Sequence, residues 1–379
     1  MVLSKPQHQI DSSWMVRALN LATRSRETSP NPMVGALFVK DNITLLGEGW
    51  HRKAGTPHAE RNAFSEISSS ELIRGSTLYV TLEPCNHFGR TPPCSELIIK
   101  SGVGRVVVCC LDPNPVVAGK SIELLRAAGI PVEVGIKEQL GRWINRRFMT
   151  FHERKRPYII LKWAQSLDGF MAPPGEGGYW ISTEESRKMV HEWRSQEDAI
   201  LVGTNTAIID NPALTTRLVP GKNPLRVVLD KNGRVPLSHQ IFDGSASTLV
   251  VGATRDSLPR ELFVEIKEEK NPLRATLEEL HRRSVLSIII EGGAKVLNDC
   301  LDTGLWDEVR TFTSPHKLAT KELGGGLKAP PEPTHSPSQE VVVGGDMLRT
   351  WYRQDASCIL PVETDDIALL KSLEQFPHR

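Results

Sequence analysis

The sequence has no apolar run near the roughly 20 residues that span a bilayer; its longest, such as Leu78 to Leu82 and Arg105 to Leu111, fall far short. It also lacks an excess of either charge. Its 46 Lys+Arg against 45 Asp+Glu leave +1, and no stretch gathers five or six like charges. That argues against a basic surface for binding RNA or DNA, and against an acidic interaction tail. The opening Met1 to His8 has no apolar core of a secretory signal, so the expectation is a cytoplasmic protein that avoids membranes. Cysteine is sparse, six in 379 residues, which is no disulfide framework. What is present, 39% hydrophobic and 24% charged residues, suits ordinary globular cores, and the length suits two domains.

Periodicity predicts a first helix from about Asp11, with Trp14, Met15, Ala18, Leu19 and Ala22 on one face and Asp11 or Ser12 as cap. Short apolar strands at Met33 to Val39, Leu78 to Leu82 and Val106 to Cys110 alternate with helices at His58 to Ile67 and Pro93 to Lys100. Gly119 to Ala128 and Ile130 to Val134 add a helix and a strand, and Glu138 to Phe151 reads as one basic amphipathic helix. The pattern restarts after about Thr150 with strands at Tyr158 to Trp163, Ala199 to Val202, Leu225 to Leu229, Thr248 to Val251 and Val285 to Ile290, and a helix at Thr183 to Gln196. Two layered α/β domains follow, over 1–150 and 151–379. The Pro- and Ser-rich segment Lys328 to Glu340 reads as a surface loop.

In the first half, His58-Ala59-Glu60 stands at a helix start, and Cys85 and Cys94 flank the exit of a strand and the start of another helix. One imidazole and two thiolates make a three-ligand zinc set with its fourth position left for water, the catalytic rather than structural arrangement. Cys94 at a helix start meets amide groups and a dipole that favour its thiolate. Glu60, two residues from His58, approaches without ligating and can carry a proton from water to a leaving nitrogen. Zinc deaminases combine H-x-E with P-C-x-x-C. Here eight residues instead of two separate the cysteines, and among them His87 and Arg90 are donors suited to a phosphate-bearing substrate.

The second half speaks less clearly. Lys162 to Gly169 joins a strand to a turn, and Glu291-Gly292-Gly293-Ala294 ends a strand and opens a helix, where glycines let a phosphate reach backbone amides. Gly203-Thr204-Asn205-Thr206, followed by Asp210 to Arg217, reads as a polar loop after a strand, either a ligand loop or merely a capped turn. Periodicity does not choose between these.

The phrases Pro30-Asn31-Pro32-Met33-Val34-Gly35, Gly49-Trp50-His51-Arg52-Lys53-Ala54-Gly55, Pro57-His58-Ala59-Glu60 and Thr81 to Cys94 resemble the bifunctional riboflavin-biosynthesis deaminase/reductase family. The resemblance implies a cytidine-deaminase-like domain followed by a dihydrofolate-reductase-like domain, with zinc and NADPH as cofactors. In the first, Asn31, His51, His87 and Arg90 would hold a phosphoribosylamino-pyrimidine while zinc-activated water displaces its amino group with help from Glu60. In the second, Ala164, Trp180, Thr206, Asp210 and Gly293, Ala294, Lys295, Val296, Leu297, Asn298 and Asp299 would contact NADPH. There Gly178, Arg194, Leu214, Arg217 and Glu291 would hold the ribosylamino-uracil phosphate, whose sugar is reduced to ribityl. Asp210 is the candidate proton donor. Lys231 departs from the small hydroxyl residue expected after Val-Leu-Asp, and it either meets the cofactor's extra phosphate or points to water. A homo-oligomer is expected from the resemblance, and the rival reading is a deaminase whose reductase-like domain is degenerate.

Overall fold

The computed structural model describes residues 5–25, 27–86, 92–115, 117–173, 179–252, 262–265, 271–318 and 326–354. The chain forms two compact units, one running to Arg154 and the next beginning at Lys155. The first comprises α1 (Lys5–Ala22), β1 (Gly35–Lys40), β2 (Thr44–Trp50), α2 (Ala59–Ser65), α3 (Ser70–Ile73), β3 (Thr77–Leu82), α4 (Cys94–Ser101), β4 (Arg105–Cys110), α5 (Lys120–Ala127), β5 (Val132–Val134), α6 (Glu138–Ile144) and α7 (Arg146–Arg154).

Its strands form one sheet in the order β2-β1-β3-β4-β5. The hairpin partners β1 and β2 are antiparallel, and β3, β4 and β5 run parallel. Alternation along the strands divides the sheet between two faces. Ala36, Phe38, Leu78, Val80, Val106 and Val108 pack on Ala59 and Ala63 of α2, Ile98 of α4, and Ile122 and Leu125 of α5. Helix α1 contacts the sheet through β1 and β3, and α6 through β4. Helix α2 lies close on β2 because Gly49 has no side chain: a Cβ there would fall 2.4 Å from the Ala63 nitrogen.

Two expectations fail here for stated reasons. Helix α1 begins at Lys5, so Asp11 and Ser12 are interior positions, not caps. Asp11 is fully buried, accepting from Arg105 Nη1 and Nη2 at 2.9 and 2.8 Å and from the Tyr79 hydroxyl at 2.7 Å. Burial alone would raise its pKa, yet these donors hold it below the usual carboxylate value. The single helix expected over Glu138 to Phe151 is instead two, broken at Asn145, whose backbone turns to φ −96° and ψ 21°. Its side chain is committed elsewhere: Oδ1 accepts from Met33 N at 2.8 Å and Nδ2 donates to Met33 O at 2.9 Å.

The second unit comprises β6 (Tyr158–Gln165), β7 (Phe170–Ala172), α8 (Glu184–Gln196), β8 (Ala199–Gly203), α9 (Thr204–Ile209), β9 (Leu225–Asp230), β10 (Thr248–Gly252), β11 (Phe263–Val264), α10 (Pro272–Arg282), β12 (Ser287–Ile290), α11 (Ala294–Thr303), β13 (Glu308–Thr313), β14 (Leu327–Lys328), β15 (Gln339–Val343) and β16 (Asp346–Tyr352). Its main sheet runs β11-β10-β9-β8-β12-β6-β13-β16-β15. Neighbours from β11 to β13 are parallel, and β16 and β15 add an antiparallel edge. One face, with Ile159, Leu161, Leu201, Val227, Ile288 and Val309, packs on Leu273, Leu277 and Leu280 of α10 and Leu297 of α11. On the other, Ile200, Val202 and Val228 pack on Ala207 of α9 and Leu214.

The expected polar loop at Gly203 to Thr206 is the start of α9, because Thr204 donates its hydroxyl to Leu229 O on β9 and the chain coils at once. The segment Lys328 to Glu340 is a loop only in its middle, since its ends join β14 and β15. Glu332 straps it to the sheet by accepting from Thr311 Oγ1 at 2.9 Å and Gln165 Nε2 at 3.3 Å.

Candidate active sites

In the first unit, β3 delivers Cys85, the N-terminus of α2 presents His58, and α4 begins at Cys94. His58 Nδ1 lies 3.4 Å from both Cys85 Sγ and Cys94 Sγ, and the three donor atoms all stand within 4.8 Å of one another. Tetrahedral zinc with ordinary Zn–N and Zn–S bonds separates nitrogen from sulfur by about 3.6 Å. The donor set therefore fits zinc in chemistry and in spacing. The Cys94 backbone N–H donates to Cys85 Sγ at 3.3 Å, so the α4 terminus serves the other cysteine's sulfur. Hydrogen bonds from Cys94 and then His58 hold the Cys85 thiol down at about 4, while the Cys85 sulfur pushes Cys94 up.

Glu60 is buried beside this cluster at 3% exposure, and burial, followed by the negative Cys85 sulfur, raises its pKa. His51 is buried with its pKa lowered by that burial. Its Nδ1 donates to Pro57 O and its Nε2 accepts from Asn31 Nδ2, each at 3.2 Å. Asn31 is carried by the loop that Asn145 anchors at Met33. His87 and Arg90 lie outside the described residues. Glu83, between β3 and Cys85, was not singled out by its sequence, yet it accepts from Asp112 N, Gly119 N, Ser121 N and Ser121 Oγ.

In the second unit a cavity of about 1370 Å³ opens where the parallel strands end, the edge at which such sheets place ligands. Trp180, Arg194, Thr206, Asp210, Leu214, Arg217, Glu291, Gly293, Ala294, Lys295, Val296 and Asp299 all line it, as does Lys231. Ala164 packs instead beside Val190 and Phe312, and Leu297 belongs to the core. Asn298 is not on the lining, and Gly178 lies outside the described residues. Gly293 takes φ +73° before α11, a conformation that suits glycine in a turn holding amides toward the cavity. That turn and the cavity's volume fit a dinucleotide beside a second ligand.

Arg194 grips Glu291 with Nη2 at 2.6 Å and Nε at 3.1 Å and reaches Thr215 O with Nη1 at 3.4 Å. Against the burial that would raise it, Arg194 and then Lys162 hold Glu291 at about 2. Loss of hydration, followed by Arg194 and Arg217, lowers His191 to about 4, and its Nδ1 accepts from Arg217 N at 3.2 Å. Leu214 sits buried at φ +53°, a strained position for a branched residue in the loop over the cavity. Lys162 lines the cavity, its pKa lowered by lost hydration and opposed by Glu291. Sequence reading passed over it. A lysine on the same face as Tyr158 and Ile160, in a mostly apolar strand, was the available signal.

The description "Cytidine and deoxycytidylate deaminase zinc-binding region" matches residues 8–110, and "RibD C-terminal domain" matches 157–326. Riboflavin biosynthesis protein RibD of Aquifex aeolicus is 43% identical over 327 residues, covering 84% of this chain and 89% of its own. The chain belongs to the RibD family. Solved structures agree: RibD of Acinetobacter baumannii superposes with a TM-score of 0.81 at 35% identity, covering 91% of this chain and 99% of its own. A Thermotoga maritima protein described as a diaminohydroxyphosphoribosylaminopyrimidine deaminase/5-amino-6-(5-phosphoribosylamino)uracil reductase gives 0.77 at 36%, with the same coverages. RibD proteins are bifunctional deaminase/reductases of riboflavin biosynthesis, and both domains are present here. Zinc serves the first RibD domain and NADPH the second.

Proposed function

We propose that residues 1–150 deaminate 2,5-diamino-6-(5-phosphoribosylamino)pyrimidin-4-one and that residues 151–379 reduce the ribosyl chain of the resulting 5-amino-6-(5-phosphoribosylamino)uracil to ribityl. The observation that carries the reading is the His58, Cys85 and Cys94 cluster with the buried Glu60 against it. When bound, zinc activates water toward the amino-bearing carbon, and NADPH supplies hydride to the sugar's anomeric carbon. Glu60 takes the water's proton and returns it to the departing nitrogen, a task suited to a carboxylate whose raised pKa lies nearer neutrality. His51, neutral with Nδ1 donating to Pro57, orients the Asn31 amide toward the pyrimidine.

In the second unit the bidentate grip of Arg194 on Glu291 leaves Arg217 as the freer phosphate donor. The Glu291 carboxylate remains to accept from the sugar's hydroxyls. Lys162, on the cavity lining near Glu291 and Arg194, protonates the ring oxygen as the sugar opens in preference to the exposed Asp210, and the lost hydration that lowers its pKa eases release of the proton. The protein acts in the cytoplasm as a homo-oligomer; no described helix is long and apolar enough to cross a membrane.

The test follows ammonia release and NADPH loss by the zinc-loaded chain beside Glu60→Gln. Loss of both in the variant, with NADPH oxidation restored by deaminated intermediate, supports two sites in series. Ammonia release without NADPH oxidation, even from that intermediate, favours the degenerate-reductase alternative. Neither product with zinc bound refutes the substrate assignment.

A further inference from the structure

Arg217 faces the reductase cavity with a guanidinium that has no hydrogen bond or ion pair among the described residues. Lost hydration, followed by the neighbouring Arg194 charge, lowers its pKa. A phosphate monoester supplies the missing counter-charge. What aims the side chain is its backbone. Arg217 belongs to the irregular segment between α9 and β9, where no helix or strand sets its direction. The return limb of this segment holds only the preceding residue: Thr216 N donates to Asn223 Oδ1 at 2.8 Å and Thr216 Oγ1 to Lys222 O at 3.0 Å.

The other holds come from α8. Arg187, Val190, His191 and Arg194 share one face of that helix and all line the cavity. Arg194 Nη1 reaches Thr215 O at 3.4 Å, and the buried His191 takes the Arg217 backbone N–H on Nδ1 at 3.2 Å. That bond needs a nitrogen lone pair, so the ring carries its proton on Nε2. The ring stands among Arg194, Arg217 and Glu291, and lost hydration together with the two arginines keeps it neutral. An acceptor without charge matters here. A carboxylate in this place could take the same N–H, but it would also pair with the two guanidiniums and cancel the charge that a phosphate must meet. Histidine accepts and spares the cations.

We propose that His191 is a positioning residue: by fixing the Arg217 amide from α8, it aims the Arg217 guanidinium at the phosphate of the ribosylamino-uracil. The inference rests on the reading of this unit as the reductase for that substrate. His191 acts through Arg217 and takes no part in the hydride or proton transfer.

The full-length chain is assayed for NADPH oxidation with the deaminated phosphate substrate and with its dephosphorylated riboside. The wild type is set beside His191→Leu, His191→Gln, His191→Glu, Arg217→Ala and the double variant of His191→Leu with Arg217→Ala. Losing the hydrogen bond to the amide should raise KM for the phosphate substrate roughly five- to tenfold in His191→Leu, with kcat within about twofold. For the riboside, kcat/KM should stay unchanged. Arg217→Ala should raise KM for the phosphate substrate roughly 30-fold, and the leucine change should add nothing on that background. Glutamine, whose Oε1 accepts without charge, should keep KM within about twofold of wild type, while the isosteric glutamate should raise it by about tenfold or more. An unchanged KM in the leucine variant, equal losses of kcat/KM on both substrates, or a fully multiplicative rise in the double variant overturns the positioning role. If the leucine variant does not fold, the glutamine and glutamate variants decide, and equal KM values in those two overturn it. A wild type that oxidises NADPH with neither substrate overturns the reductase reading and the inference with it.

Discussion

Asn145→Ala offers a measurable link between the break separating α6 from α7 and the deaminase site. The wild-type amide makes both a donor and an acceptor bond to the Met33 backbone, at 2.9 and 2.8 Å, and Asn145 is only 4% exposed. Alanine leaves a peptide N–H and a carbonyl without partners in a place water reaches poorly, at about 1–3 kcal/mol each. Allowing for partial relaxation, the expected loss is about 3 kcal/mol. That lowers the midpoint of heat inactivation of ammonia release by roughly 6–12 °C for a domain of this size. Because Met33 is two residues from Asn31, KM for the pyrimidine should rise more than kcat falls. Asn145→Asp should fall between, keeping the acceptor for Met33 N while turning a second oxygen on Met33 O. A stability loss under about 0.5 kcal/mol in the alanine variant would refute the anchoring argument. A large loss with KM unchanged would show that the anchor does not govern Asn31.

Breaking the buried pair by Asp11→Ala should cost about 3–5 kcal/mol because Arg105 is left uncompensated; urea unfolding checks this, and the joint replacement Asp11→Leu with Arg105→Met should recover much of it. His191 is held neutral at about 4 against an unfolded value near 6.5, so the unfolded chain takes up its proton first. Its contribution is therefore intact above pH 6.5 and is lost as pH falls toward 4, to about 3 kcal/mol at most. His191→Gln should flatten that part of the stability profile measured by urea unfolding. Stripping zinc with a chelator should abolish ammonia release and lower the thermal midpoint of the deaminase unit, while NADPH titration of the same sample stays unchanged.

Much of the layered α/β architecture was legible because buried strands such as Val106 to Cys110 and amphipathic helices such as Thr183 to Gln196 advertise themselves by period. The zinc ligands were legible because His58, Cys85 and Cys94 are unusual types in a telling order, with Glu60 two residues from the histidine. Long-range side-chain bonds were not. Asp11 resembles a cap until its partners on β3 and β4 are seen, and Asn145 resembles a helical residue until Met33, 112 positions away, is found across it. Lys162 escaped notice because its meaning comes from Glu291 and Arg194, which two other elements bring to it. Most of the reductase residues that the family resemblance gathered line the cavity. It did not reveal that Arg194 spends its fork on Glu291.

Glu83 stands two residues from Cys85, and its carboxylate collects the amides of Asp112, Gly119 and Ser121. The loop and the strand exit carrying the metal ligand should therefore open together, as one cooperative patch in hydrogen exchange. Zinc that steadies Cys85 should slow exchange at those three distant amides. Isotope uptake at Ser121 thereby becomes a gauge of metal occupancy that requires no turnover.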